Sequence, residues 1–129
     1  MSSTILYIED NLSNLELVKR VLTKRPGIRL IDAMQGRLGV DLAREHHPDL
    51  ILLDLHLPDI SGTEVLRQVR DDPRTTTIPV IVISADATPG QIERLLTDGA
   101  LAYLTKPLDV KKLLSLLDQT LPSGGLAPR

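Results

Sequence analysis

Two aliphatic runs, Leu50-Ile51-Leu52-Leu53 and Val80-Ile81-Val82-Ile83, restrict the fold of this chain more than any other feature. Neither alternates with polar residues. A strand with one wet face shows that alternation, so an unbroken run predicts a strand covered on both sides, as in a parallel sheet between helical layers. Similar runs lie at Thr4–Ile8 and Ile28–Ala33, with a weaker one at Leu101–Leu104. Helical spacings fill the intervals: Leu15, Val18 and Leu22; Leu38, Leu42 and Ala43; Val65, Leu66 and Val69; Ile92, Leu95 and Leu96; Leu113, Leu114 and Leu117. The order is strand then helix, five times. Punctuation agrees, with Pro26-Gly27 closing the first helix, Pro48-Asp49 before the third strand, Asp98-Gly99 as a C-cap and Pro122 after the last helix. The class is therefore α/β, with a five-stranded parallel sheet in three layers.

Composition narrows what such a domain can do. At 129 residues there is room for one domain of the usual size, about 150 residues. A 42% hydrophobic and 25% charged chain is ordinary globular protein. Fifteen basic against seventeen acidic residues leave a net charge of −2, which argues against electrostatic binding to nucleic acid or an anionic membrane. Two Tyr with no Phe or Trp provide almost nothing on which bases could stack. The absence of Cys excludes disulfides, thiolate metal sites and a cysteine nucleophile. No apolar run nears the ~20 residues of a membrane span. Met1-Ser2-Ser3-Thr4 has none of the features of a signal peptide, so a cytoplasmic location is expected.

Open parallel sheets bind ligands beyond the carboxyl ends of their strands. At that edge the first strand delivers Glu9-Asp10, the third Asp54 and the fourth Ser84, and Lys106 follows the fifth. Each has a plain reading alone. Glu9-Asp10 can be a solvated loop, Ser84 a turn or cap, Lys106 a surface cation. Asp54 after four apolar residues is harder to dismiss, because a buried charge needs a partner. Carboxylates gathered at one edge repel unless a cation intervenes, and Mg²⁺ suits oxygen ligands of this kind. With a lysine alongside, the set suits phosphoryl oxygens, and a carboxylate can attack phosphorus to become an aspartyl phosphate. His46-His47 reads as a helix end, Asp71-Asp72-Pro73-Arg74 as a polar loop, and Lys111-Lys112 as the wet face of the last helix.

Four segments carry a resemblance to a known family: Ile8-Glu9-Asp10-Asn11, the stretch from Leu52 to Gly62 (LLDLHLPDISG), Ile83-Ser84-Ala85 and Tyr103-Leu104-Thr105-Lys106-Pro107. In this order, each at a strand end, they resemble the receiver domain of two-component response regulators from about Thr4 to Leu121. The resemblance implies a flavodoxin-like doubly wound (βα)₅ sandwich with strand order 2-1-3-4-5, residues 1–121 forming the domain and 122–129 a tail or linker. It implies Asp54 as phosphoacceptor for a sensor histidine kinase or histidine phosphotransfer domain, with Lys106 and Ser84 contacting the phosphoryl group. Asp10, Asp54 and the His56 backbone carbonyl would ligate Mg²⁺, with Glu9 acting through water. Ser84 and Tyr103 would switch the surface of the fourth helix, fifth strand and fifth helix for a downstream protein. His56 and Asp86 would tune phosphate lifetime, and the Lys106–Pro107 bond would be cis. Asn11 and Asn14 resemble receivers attached to hybrid histidine kinases.

Such a domain catalyses only its own phosphorylation and dephosphorylation. Rivals are a phosphate-independent receiver-like scaffold and a phosphatase with an Asp nucleophile. The phosphatase reading needs a second Asp two residues after the nucleophile, where this chain has His56. A flavodoxin-like FMN carrier needs a phosphate-binding loop after the first strand, where Glu9-Asp10-Asn11 would repel phosphate.

Overall fold

Five strands alternate with five helices in the computed structural model, which describes residues 2–121. They are β1 (Ser3–Ile8), α1 (Leu12–Leu22), β2 (Ile28–Ala33), α2 (Gly36–His46), β3 (Leu50–Asp54), α3 (Gly62–Asp71), β4 (Val80–Ser84), α4 (Pro89–Thr97), β5 (Ala102–Thr105) and α5 (Val110–Thr120). All strand pairs are parallel, in the order β2-β1-β3-β4-β5. The expected doubly wound architecture is thus present. The segment expected as a tail, 122–129, lies outside the described residues.

Two apolar layers hold the sheet, and strand alternation sorts side chains between them. Ile5 and Tyr7 of β1, Leu50 and Leu52 of β3, and Ile81 and Ile83 of β4 face α1 and α5, meeting Leu15, Val18, Leu113 and Leu117. Leu6 and Ile8, Ile51 and Leu53, Val80 and Val82 face the other side, packing with Val40, Val65, Leu66, Val69 and Leu95. Every residue of β3 and β4 is buried, which is why neither run alternates.

The second helix departs from expectation at Leu38. Ala43 is buried and Leu42 packs against the core as expected, but Leu38 is 45% exposed, and Gly36, Gly39 and Val40 complete the buried face. A Cβ on Gly39 would stand 2.4 Å from Ile8 Cδ1, so the helix lies against the sheet through its glycines. In α4 only Leu95 is buried, and Leu96 is exposed. Leu101 is likewise exposed, and β5 begins one residue later than its apolar run suggested. The first helix ends at Leu22 with Thr23 as C-cap, before Pro26-Gly27.

Candidate functional site

β1 pairs with both β2 and β3, so the chain changes direction across the sheet at β1. In such sheets a crevice opens above the carboxyl ends at this point. Glu9 follows β1 directly, and Asp54 is the last residue of β3. Carboxylate oxygens of Glu9, Asp10 and Asp54 all lie within 4.8 Å of one another. Asp10 is exposed, whereas Glu9 is 1% and Asp54 3% exposed.

Lys106 reaches into this group from the loop after β5. Its Nζ donates to Glu9 Oε1 at 2.9 Å and to Asp54 Oδ1 at 3.2 Å. One ammonium therefore serves two buried carboxylates, with a third beside them. Burial and the neighbouring Glu9 charge push the Asp54 carboxyl above its usual range, although Lys106 and the His56 backbone N–H oppose the shift. Burial also pushes Glu9 upward, but donors from Lys106, Tyr7 and the Asn11 backbone outweigh it and hold that carboxyl below its usual value. Burial disfavours the Lys106 cation, yet its two acidic neighbours prevail and raise its affinity for the proton. Lys106 thus serves Glu9 and Asp54 together, and of these two buried carboxyls Asp54 is the one held above its usual range.

Ser84 ends β4, one residue beyond Ile83, which pairs with Asp54. Its side chain is fully buried and Oγ has no hydrogen-bond partner among the described residues. Buried hydroxyls are rarely left so, and an unpaired one at a cleft is a donor awaiting an acceptor. The Ser84 carbonyl accepts from the Tyr103 hydroxyl at 2.8 Å and from the Lys106 backbone N–H at 3.1 Å. Further out, His56 Nε2 and Asp86 Oδ1 stand 2.8 Å apart, joining the loop after β3 to the loop after β4. The Lys106–Pro107 peptide is cis.

Sequence reasoning missed two supports of this site, Tyr7 and Asn14, and a cap on α2, Asp59. Tyr7 lies two residues before Glu9 and donates its hydroxyl to Glu9 Oε1 at 3.1 Å; the period of two along a strand was the available signal. Asn14 Nδ2 donates to the same oxygen at 3.1 Å. Asp59, within the LPDISG stretch, accepts from the backbone N–H groups of Gly36 and Arg37 at 2.8 and 2.9 Å. Backbone N–H groups, that of Arg37 foremost and then those of Gly36, Ile60 and Asp59 itself, hold its carboxyl down to about 2. No local pattern announces a cap supplied from 23 residues away. Gly62 opens α3 so close to β3 that a Cβ there would sit 2.4 Å from the Asp54 carbonyl oxygen.

The oxygen-only donor set and its uncompensated negative charge fit a hard divalent cation such as Mg²⁺. No helix of the described residues is long and apolar enough to cross a membrane.

Known proteins resemble the chain along nearly its whole length. The polar-differentiation response regulator DivK of Brucella ovis is 40% identical over 117 residues, covering 91% of this chain and 94% of that protein. The receiver domain of a sensor histidine kinase from Pseudomonas aeruginosa PAO1, solved with a magnesium ion coordinated in its active-site cleft, is 29% identical. It superposes with a TM-score of 0.84, covering 95% of this chain and 100% of that one. The signal receiver domain of a histidine kinase from Syntrophus aciditrophicus is 30% identical with a TM-score of 0.82, covering 93% and 90% of the two chains. The response regulator receiver domain family matches residues 5–118, and with the parallel sheet and its acidic edge this makes the chain a member of that family.

Proposed function

We propose that this domain accepts a phosphoryl group from a phosphohistidine onto Asp54 and presents the result to a downstream protein. The observation that carries this reading is the buried Asp54 carboxylate, with Lys106 Nζ at 3.2 Å and two further acids beside it. An Asp54 oxygen attacks phosphorus as the phosphorus–nitrogen bond of the donor breaks. The electron pair leaves on the imidazole nitrogen, and an acyl phosphate remains.

Asp10, Asp54 and the His56 carbonyl would hold Mg²⁺, with Glu9 acting through water. Bound there, the ion offsets the charge that otherwise opposes a phosphate's approach to three acids. Lys106 already faces Asp54 and would turn from it to a phosphoryl oxygen. The unpaired Ser84 hydroxyl would donate to another. Because the Ser84 carbonyl also holds Tyr103 and the Lys106 backbone, any shift of Ser84 pulls on β5 and its flanking helices α4 and α5. That face would meet the downstream partner. His56 and Asp86, paired across the neighbouring loops, would tune how readily water reaches the acyl phosphate. The donor class is a sensor histidine kinase or a histidine phosphotransfer domain, and the residues forming the unit are 1–121. The domain would turn over only its own phosphoryl group.

Acetyl phosphate with Mg²⁺, followed by intact mass, tests the proposal. A gain of one phosphoryl group that is absent in Asp54→Asn and lost with EDTA is expected. Equal labelling of Asp54→Asn would refute the assignment.

A further inference from the structure

Glu9 is tied by more donors than a charge-neutralising role requires. Its Oε1 accepts from the Lys106 ammonium at 2.9 Å, the Tyr7 hydroxyl at 3.1 Å and the Asn14 amide at 3.1 Å. Its Oε2 accepts only the Asn11 backbone N–H, at 3.3 Å. A carboxylate oxygen offers two lone pairs, so three donors use up Oε1, while Oε2 keeps capacity. The three donors come from β1, α1 and the loop after β5, and so fix the carboxylate from three directions. Tyr7 is fully buried against the α1 and α5 layer, which gives its hydroxyl no freedom to move away.

We propose that Tyr7 and Asn14 are positioning residues for the cation: they pin Glu9 Oε1 into the protein and thereby fix how its carboxylate is presented within the acidic cluster. This inference rests on the Mg²⁺-assisted phosphoacceptor reading and deepens it. Without the pin, Glu9 is free to rotate and to share both oxygens with Lys106, and the cluster loses a preset oxygen. Partners behind a metal ligand act in this manner, by fixing its orientation before the ion arrives. Lys106 alone cannot do so, because it is shared with Asp54. Neither Tyr7 nor Asn14 contacts Asp54 in the hydrogen-bond network, so the pin acts on the cation and not on the attacking oxygen.

The test compares Tyr7→Phe and Asn14→Ala with the unaltered chain by calorimetric titration with Mg²⁺. Acetyl phosphate labelling rates are then followed across Mg²⁺ concentrations. Asn14→Ala lies at a partly exposed helix position and guards against a Tyr7 variant that packs poorly. Each variant is expected to weaken Mg²⁺ binding by about tenfold, the low end for a partner behind a ligand. At saturating Mg²⁺ the labelling rate should return to within about twofold of the parent, since the acceptor's own contacts are intact. A purely structural role would instead depress the saturated rate and leave the affinity unmoved. Unchanged affinity in both variants, or a saturated rate that stays low, would overturn the inference. Failure of the underlying reading looks different: no labelling of the unaltered chain at any Mg²⁺ concentration.

Discussion

Replacing Gly62 with Ala probes how tightly β3 and α3 are joined. The added Cβ would meet the Asp54 carbonyl oxygen at 2.4 Å and Leu55 Cα at 2.7 Å, both backbone atoms. Ordinary contact starts near 3.4 Å, so helix and strand must part by about 1 Å. The Gly62 N–H bond to the Leu55 carbonyl, now 2.9 Å, would be stretched in the process. Overpacking of this kind costs about 1–3 kcal/mol. Against it stands the gain of Ala over Gly in a helix, under about 1 kcal/mol and less at the first position. The net is a loss of about 1–2 kcal/mol. Gly90, at the start of α4, is the control, since its Cβ would find its nearest neighbour, Thr88 Oγ1, only at 4.0 Å. There the substitution should stabilise by a few tenths to about 1 kcal/mol through the unfolded chain. Urea unfolding at constant slope measures both. A Gly62→Ala protein as stable as its parent, beside a Gly90→Ala protein that behaves as described, would refute the close-approach argument.

In Mg²⁺-free buffer at neutral pH, Asp54→Asn should melt higher than the parent, because it removes a buried charge that faces Glu9 with only a shared lysine. Asp54 binds its proton more tightly folded than unfolded, so the handicap exists above its folded pKa and shrinks as pH falls through that value; a margin that widens in acid would contradict this. Lys106→Met strands Glu9 and Asp54 without their cation and should cost about 2 kcal/mol by urea titration, less than a fully buried pair would. The Asp86 hydrogen bond raises the His56 proton affinity, so NMR titration should find this imidazole charged to a higher pH than a free one, reverting in Asp86→Asn. The pair's contribution is complete below the unfolded histidine pKa and fades as pH rises through the folded one, and an unshifted His56 would dismiss the contact.

Much of the fold is legible in the sequence because the burial of β3 and β4 on both faces leaves an unmistakable mark, Leu50 to Leu53 and Val80 to Ile83 without a polar break. The site edge is legible for a related reason. A polar residue that ends a buried run, as Asp54 and Ser84 do, has to serve something at the sheet's carboxyl end. Helix faces are less legible. In α2 the apolar spacing holds for Leu42 and Ala43 but not for exposed Leu38, and the part Gly36 and Gly39 play is hidden, since close approach of backbone to neighbouring side chains leaves no hydrophobic signal. Leu96 fits a helical apolar spacing and Leu101 opens an apolar run, yet both lie at the surface, at the end of α4 and just before β5. Contacts between distant residues leave no trace at all. The cap that Asp59 places on α2 and the Asn14 bond to Glu9 emerge only when the chain is folded.

In the proposed reaction the side chain at the end of β3 becomes the acyl phosphate. Borohydride reduction of the protein after acetyl phosphate and Mg²⁺ treatment, followed by peptide mapping, reads this directly, because hydride reduces an acyl phosphate to an alcohol and leaves free carboxylates intact. Reduction confined to position 54, and lost when EDTA is present, is the predicted result. An intact Asp54 with the alcohol at Glu9, Asp10 or elsewhere would contradict the account.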